Sequence, residues 1–251
     1  MLERGAQLES LASLGDGRLV HGFTTRLGGV SEGSRATLNV SAKRGDAPER
    51  VAENLRRIAA EGGFEGVPMY RVLQVHGRTV LHASELESGS EADALWWDRS
   101  GGPGVVSVTT ADCVPILIYD AWRQRVAAIH SGWRGTVANI VEATVEAMVE
   151  GEDDRGSLHA AIGPCIERDA FEVGEEVARE FAGAYVVRAG YAKPHVDLVA
   201  CIREQLVAAG VPPAQVERVG GCTHAHPERY FSYRRDGAET GQALSFIGFV
   251  A

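Results

Sequence analysis

No run of apolar residues in this 251-residue chain approaches the roughly 20 needed to cross a bilayer, so no transmembrane helix can be placed on it. Cysteine is scarce: Cys113, Cys165, Cys201 and Cys222 stand far apart, and neither a Cys-x-x-Cys knuckle nor a disulfide framework is written into the spacing. Positive charge is in deficit. The net charge of -9 removes the basic footprint of a nucleic-acid binder and leaves only local clusters for small anions. There is no internal repeat, no low-complexity tract and no Pro/Gly/Ser-rich linker, so residues 1–251 read as one domain. The opening Met1-Leu-Glu-Arg-Gly-Ala-Gln7 lacks the charged-then-apolar pattern of an export signal, which makes a cytoplasmic protein with reduced thiols the expectation.

What is present is a mixture of strand-like and helix-like segments. The pattern predicts strands at 18–25, 69–75, 79–84, 104–110, 114–119, 125–130, 157–162, 215–219, 229–233 and 243–249. A helix is expected after Asp46, with Pro48 in its first turn and Asp46/Glu49 as a capping box. A second begins near Thr136 and turns Val137, Ile140, Val141, Thr144, Val145 and Met148 inward. Others are expected at 173–182 and 196–209. Gly89–Gly104 reads as the loosest stretch, interrupted by Ala94-Leu-Trp-Trp97. Without strict βαβ alternation, the expected class is α+β with mixed sheets.

Three of the strand-like runs end on a chemically capable side chain: His76, Cys113 and His130. Two imidazoles and a thiol can hold one metal ion with a position left open, as catalytic zinc sites do. They can equally form a Cys-His nucleophilic site. Such ligands suit zinc, or copper under some conditions. Asp112, next to Cys113, is a candidate general base or an orienting partner. Gln74 shares a strand face with His76. His130-Ser-Gly-Trp-Arg-Gly-Thr136 is a strand-to-helix turn in which Arg134 offers a guanidinium fork to an anion; the alternative is a tight turn with an exposed Arg. Thr24-Thr-Arg-Leu-Gly-Gly-Val-Ser31 presents Arg26 in the same way, though no Walker A lysine follows. Arg234 and Arg235 sit at a turn; Arg234 can reach a substrate, and Arg235 reads as a solvated hairpin tip. Cys165 follows a Gly-Pro turn and either lines a pocket or packs in the core. His224 and His226 have a chelating spacing that is more often incidental.

Taken together, His21-Gly-Phe-Thr-Thr-Arg-Leu-Gly-Gly-Val-Ser31, Leu38-Asn39, Gln74-Val-His-Gly77, Ala111-Asp-Cys113, His130-Ser-Gly-Trp-Arg-Gly135, Ile162-Gly-Pro-Cys165 and Phe231-Ser-Tyr-Arg-Arg-Asp236 resemble the YfiH-like family. That family has been called multicopper polyphenol oxidase or laccase-domain protein and is also described as purine nucleoside phosphorylase. The resemblance covers nearly the whole chain. It implies a four-layer α/β/β/α sandwich, similar to the cytotoxic necrotizing factor catalytic domain. It implies zinc on His76, Cys113 and His130, with copper as an alternative at the same site. It also implies phosphorolysis of adenosine, inosine, guanosine and methylthioadenosine, and deamination of adenosine. Substrate contacts are expected from Arg26, Asn39, Gln74, Arg134, Cys165 and Arg234, with Arg26 and Arg134 on phosphate. The partners would be purine nucleosides and phosphate, with no nucleic acid or membrane, in a monomer or homodimer. The family often carries Thr-Gly-Arg near its C-terminus; here the chain reads Thr240-Gly-Gln242. Other readings are a copper-dependent polyphenol oxidase, a metal-free Cys-His glutamine deamidase and a metal-stabilised binding module.

Overall fold

The computed structural model describes residues 5–10, 17–42, 45–149 and 155–251. Residues 1–4, part of the segment read for an export signal, lie outside it. The described elements run β1 (Leu8–Glu9), β2 (Leu19–Thr24), α1 (Pro48–Glu61), β3 (Met69–Tyr70), β4 (Val80–His82), β5 (Ala94–Asp98), β6 (Gly104–Thr110), β7 (Val114–Asp120), β8 (Arg125–Ser131), α2 (Trp133–Val137), α3 (Ile140–Met148), β9 (Leu158–Ile162), α4 (Glu175–Ala178), β10 (Val186–Val187), β11 (His195–Val196), α5 (Leu198–Ala208), β12 (Val216–Arg218), α6 (Tyr233–Asp236) and β13 (Ala243–Phe249). No helix among the described residues is long and apolar enough to cross a membrane.

Two mixed sheets form the centre. One has the order β1-β2-β13-β6-β3 and the other β12-β9-β7-β8-β5-β4. The period of two along each strand sorts side chains into layers. On β7, Leu117 and Tyr119 face the other sheet, where they meet Phe23, Val106, Val108, Ile247 and Phe249. Val114, Ile116 and Ile118 face outward onto Ile140, Val141 and Val145 of α3 and onto Ile202 and Leu206 of α5. On the far side, Ile58 of α1 packs with Leu244, Phe246 and Val105. The layers are therefore helix, sheet, sheet, helix, as the resemblance implies. A strand covered on both faces reads as an unbroken apolar run, which is why β7 is legible without alternation.

Several boundaries differ from the sequence reading. The first helix is capped by Ala47 with no side-chain bond. Asp46 instead accepts hydrogen bonds from Ser31 Oγ, Asn39 Nδ2 and the Ala47 N–H (2.6, 2.7 and 2.9 Å). The helix expected from Thr136 starts at Trp133 and breaks at Asn139, whose left-handed φ of 55° ends α2 and whose side chain caps α3. Val137 is consequently exposed. Residues 229–233 form no strand: the Arg235 guanidinium donates to the carbonyls of Thr223, His224 and Tyr230 and so clasps the turn closed. Arg235 is a brace and not a solvated tip. The stretch read as loosest contains β5, which pairs with β8 antiparallel and β4 parallel.

Candidate metal centre and cavity

The two sheets are joined by the short link between β6 and β7. The chain leaves the first sheet at Thr110, turns through Ala111 and Asp112, and enters the second at Val114, so Cys113 sits at the crossover. His130 lies on β8, on the same face as Val126 and Ala128, directed between the sheets. His76 comes from the loop after β3, with a left-handed φ of 60°. Candidate donor atoms of the three residues lie within 4.8 Å of one another. Among the described residues no other group of three or more His, Cys, Asp or Glu converges in this way; His224 and His226 belong to none.

A residue absent from the sequence reading holds this trio together. Asp93, fully buried at the head of β5, accepts a hydrogen bond from His130 Nδ1 at 2.8 Å. A carboxylate can only accept, so an imidazole proton sits on Nδ1 and Nε2 is the nitrogen left to bind a metal ion. The same carboxylate accepts the backbone N–H groups of Val75, His76 and Gly77 at 3.3, 3.0 and 2.6 Å. These bonds hold the left-handed turn at His76, a conformation that is unfavourable for a residue with a side chain. Burial works to raise the Asp93 pKa, but the bonds from His130 and Gly77 and the charge of His130 outweigh it and lower it. The signal for Asp93 was an acid placed directly before the apolar run Ala94-Leu-Trp-Trp97.

The electrostatics of the trio are mutual. Burial pushes the Cys113 thiol up, while the charge of His130 and hydrogen bonds from His130 and His76 bring it down to about 6. Burial pushes His130 down, while the charge of Cys113 and the bond to Asp93 raise it to about 9. In metal-free protein, iodoacetamide should therefore label Cys113 with a midpoint near pH 6, against about 8.5 for an ordinary thiol. Cys165 and Cys201, pushed up by burial to about 12 and about 11, should stay unlabelled. Mass-spectrometric labelling across pH checks this, and a Cys113 midpoint above 8 would contradict the pairing.

The donor set suits a metal ion. Tetrahedral zinc with Zn–N of ~2.0–2.1 Å and Zn–S of ~2.3 Å sets N/S donors roughly 3.3–3.6 Å apart, and the three residues' donor atoms already lie within 4.8 Å of one another. Gly132 keeps the space open: a Cβ there would stand 3.1 Å from both Cys113 Sγ and His76 Nδ1.

The trio lines one side of a cavity of about 910 Å³, within the size range of small-molecule sites. Of the other residues named from sequence, Asp112, Gln74 and Arg234 line this cavity; Arg26, Asn39, Arg134 and Cys165 do not. Asp112, with φ of 95°, accepts from Thr223 Oγ1 and from the Arg234 N–H, both at 2.6 Å, and so ties three segments at the crossover. Gln74 spends its amide on the main chain of Thr109, as if adding a strand to β6. Arg234 donates to the Ala170 and Glu172 carbonyls and lies over the Phe171 ring. Arg26 donates to the Ala36 and Pro227 carbonyls and packs on Phe231. Asn39, fully buried, bonds Asp46 and the N–H groups of Ser41 and Gln242. Arg134 is exposed and stacks on Trp133. Cys165 is buried beside Arg218. Arg71, Phe171, Tyr233 and Gln242 line the cavity and were not singled out as contacts from sequence.

Fold and site define an α/β/β/α protein with a His/Cys/His cluster able to hold a metal at the wall of a ligand-sized cavity. The family described as multi-copper polyphenol oxidoreductase laccase matches residues 20–250, and the chain belongs to it. It is 41% identical over 232 residues to a Deinococcus radiodurans protein named purine nucleoside phosphorylase, covering 91% of this chain and 88% of that one. It is 35% identical over 246 residues to an adenosine deaminase named RL5 from an unknown prokaryotic organism, covering 91% and 93%. The crystal structure of the Neisseria meningitidis protein NMB0706 superposes with a TM-score of 0.85 at 33% identity, covering 99% of this chain and all of that one.

Proposed function

We propose that this protein is a zinc-dependent purine nucleoside phosphorylase that also deaminates adenosine, with His76, Cys113 and His130 as the metal ligands. The observation that carries the reading is the convergence of these three donors, braced by Asp93, on a cavity large enough for a nucleoside. The names of the relatives supply the substrate class. Adenosine, inosine, guanosine and methylthioadenosine share the purine and the C1′–N9 bond on which such an activity acts.

In phosphorolysis a phosphate oxygen forms the bond to C1′ while the C1′–N9 bond breaks. Its electron pair goes to the base, which takes up the proton that dihydrogen phosphate brings. The products are the free base and ribose 1-phosphate, or 5-methylthioribose 1-phosphate from methylthioadenosine. In deamination, water adds at C6 and ammonia leaves. Zinc, when bound, supplies Lewis acidity of the kind that draws the pKa of water towards ~7. The protein's own residues orient the reactants. Asp93 fixes His130 and the His76 turn. Tyr233, exposed at the cavity, offers an aromatic ring to a planar base. Asp112, with both oxygens bonded within the protein, acts by positioning Cys113 and the Arg234 segment.

A multicopper centre requires further converging donors, and the described residues provide one three-donor group. The Cys113–His130 pair would also suit a metal-free deamidase. Metal-quantified protein incubated with inosine and adenosine, with and without phosphate, separates these readings by chromatography of the products. Phosphate-dependent release of hypoxanthine or adenine is the expected result. No base release and no deamination by fully zinc-loaded protein would overturn the proposal.

A further inference from the structure

Phosphorolysis needs a dianion or monoanion held beside the nucleoside, yet the two arginines that the sequence offers for it lie elsewhere. Arg26 is spent on carbonyls and an aromatic ring, and Arg134 points to solvent outside the cavity. Two other guanidinium groups line the cavity, those of Arg71 and Arg234. Arg234 is a brace: one nitrogen bonds two carbonyls and the plane lies over Phe171. Arg71 differs. Its hydrogen bond is to the Val40 carbonyl at 3.2 Å, through one nitrogen, which leaves the rest of the fork unused.

No ion pair to Arg71 exists among the described residues. The cavity's two acids do not serve it. Asp112 has its two oxygens bonded to Thr223 Oγ1 and to the Arg234 N–H, and Glu87 is exposed and points to no cation within ion-pair distance among the described residues. The surface of Arg71 is accessible, yet the surrounding protein desolvates it enough to lower its pKa from the usual arginine value. Arg71 is therefore a cation on a concave wall, exposed where a ligand can reach it. With no carboxylate paired to it among the described residues, its charge is available to an anion that enters the cavity. The fork geometry of guanidinium matches two oxygens of a phosphate.

We propose that Arg71 is the anchor for inorganic phosphate in this cavity. This rests on the phosphorylase reading, and it assigns the co-substrate a place: the wall formed by Arg71 and the neighbouring Val40–Ala42 and Gln242 segments. Val40 accepts from Arg71 through its carbonyl and donates its N–H to the Gln242 carbonyl, so these segments are joined. Gln242 on that wall is uncharged, which leaves Arg71 as its cation.

The test uses metal-loaded wild-type, Arg71→Met and Arg71→Lys proteins. Initial rates are measured over a grid of inosine and phosphate concentrations, and phosphate binding is measured separately by calorimetry. In Arg71→Met the KM for phosphate should rise about tenfold or more, as expected for a lost charge-assisted fork, and by several times more than the KM for inosine. Calorimetric phosphate binding should be lost in parallel. Arg71→Lys, which keeps the charge without the fork, should recover part of both. An unchanged phosphate KM, or a rise confined to inosine, overturns the assignment. If wild-type protein turns over no nucleoside, the phosphorylase reading fails. Calorimetry then still decides the anion site: phosphate bound by wild-type protein and lost in Arg71→Met upholds it, and equal or absent binding in both sinks it.

Discussion

Cys113→Ala should leave protein that neither retains zinc through dialysis nor turns over nucleoside, with phosphorolysis reduced by at least ~10³-fold. The reason is geometric. Cys113 is delivered by the link between the two sheets, and no other thiol joins the donor group among the described residues: Cys165 is fully buried beside Arg218, Cys201 lies within α5 and Cys222 is buried. No replacement donor can move into place without reorganising the crossover. Circular dichroism should show a folded protein, because the substitution removes one sulfur from a site that is only half-buried. Metal analysis and product chromatography on the same preparation check the prediction. Stoichiometric zinc with full turnover would remove Cys113 from the site.

Asp93 should give the second largest effect, and it separates into two measurements. Asp93→Asn should lower metal affinity by about 10–100-fold in chelator competition, the usual cost of losing the carboxylate behind a ligating imidazole. The amide can no longer accept at both oxygens, so either His130 Nδ1 or the N–H groups of the His76 turn lose their partner. Asp93→Ala should also destabilise the metal-free protein by about 3–5 kcal/mol in urea unfolding, because it strands a buried charged imidazole and the backbone donors at 75–77. An Asp93→Ala protein that unfolds at the wild-type urea concentration would show that the turn at His76 is held by something else.

These two predictions differ in how far the sequence could anticipate them. The Cys113 prediction was open to sequence reading because each of the three candidate donors ends an apolar run, and such endings are where a scaffold presents chemistry. The Asp93 prediction was not, because the five residues Ala94–Asp98 lack alternation and β-branched side chains. Their identity as a strand comes from burial on both faces, between β8 and β4, which is a property of the assembled sheet. The arginines show the same limit. Arg26, Arg71, Arg134 and Arg234 each stand near a motif, and nothing local distinguishes a guanidinium that faces a cavity from one that clasps carbonyls.

The sequence by itself determined the class of fold, most of the long strands, the helix over α5 and the three donors that end their runs. These follow from periodicity and from the change of composition at the ends of elements, both of which are local. The tertiary structure alone decided which polar side chains are used up inside the protein and which remain for a ligand. Asn39, Arg26 and Arg235 were consumed by main-chain groups that lie far away along the chain or across a turn, whereas Arg71 was left at the cavity wall. A hydrogen bond is satisfied by whatever partner folding brings within 3 Å or so, and that partner is written in no single segment.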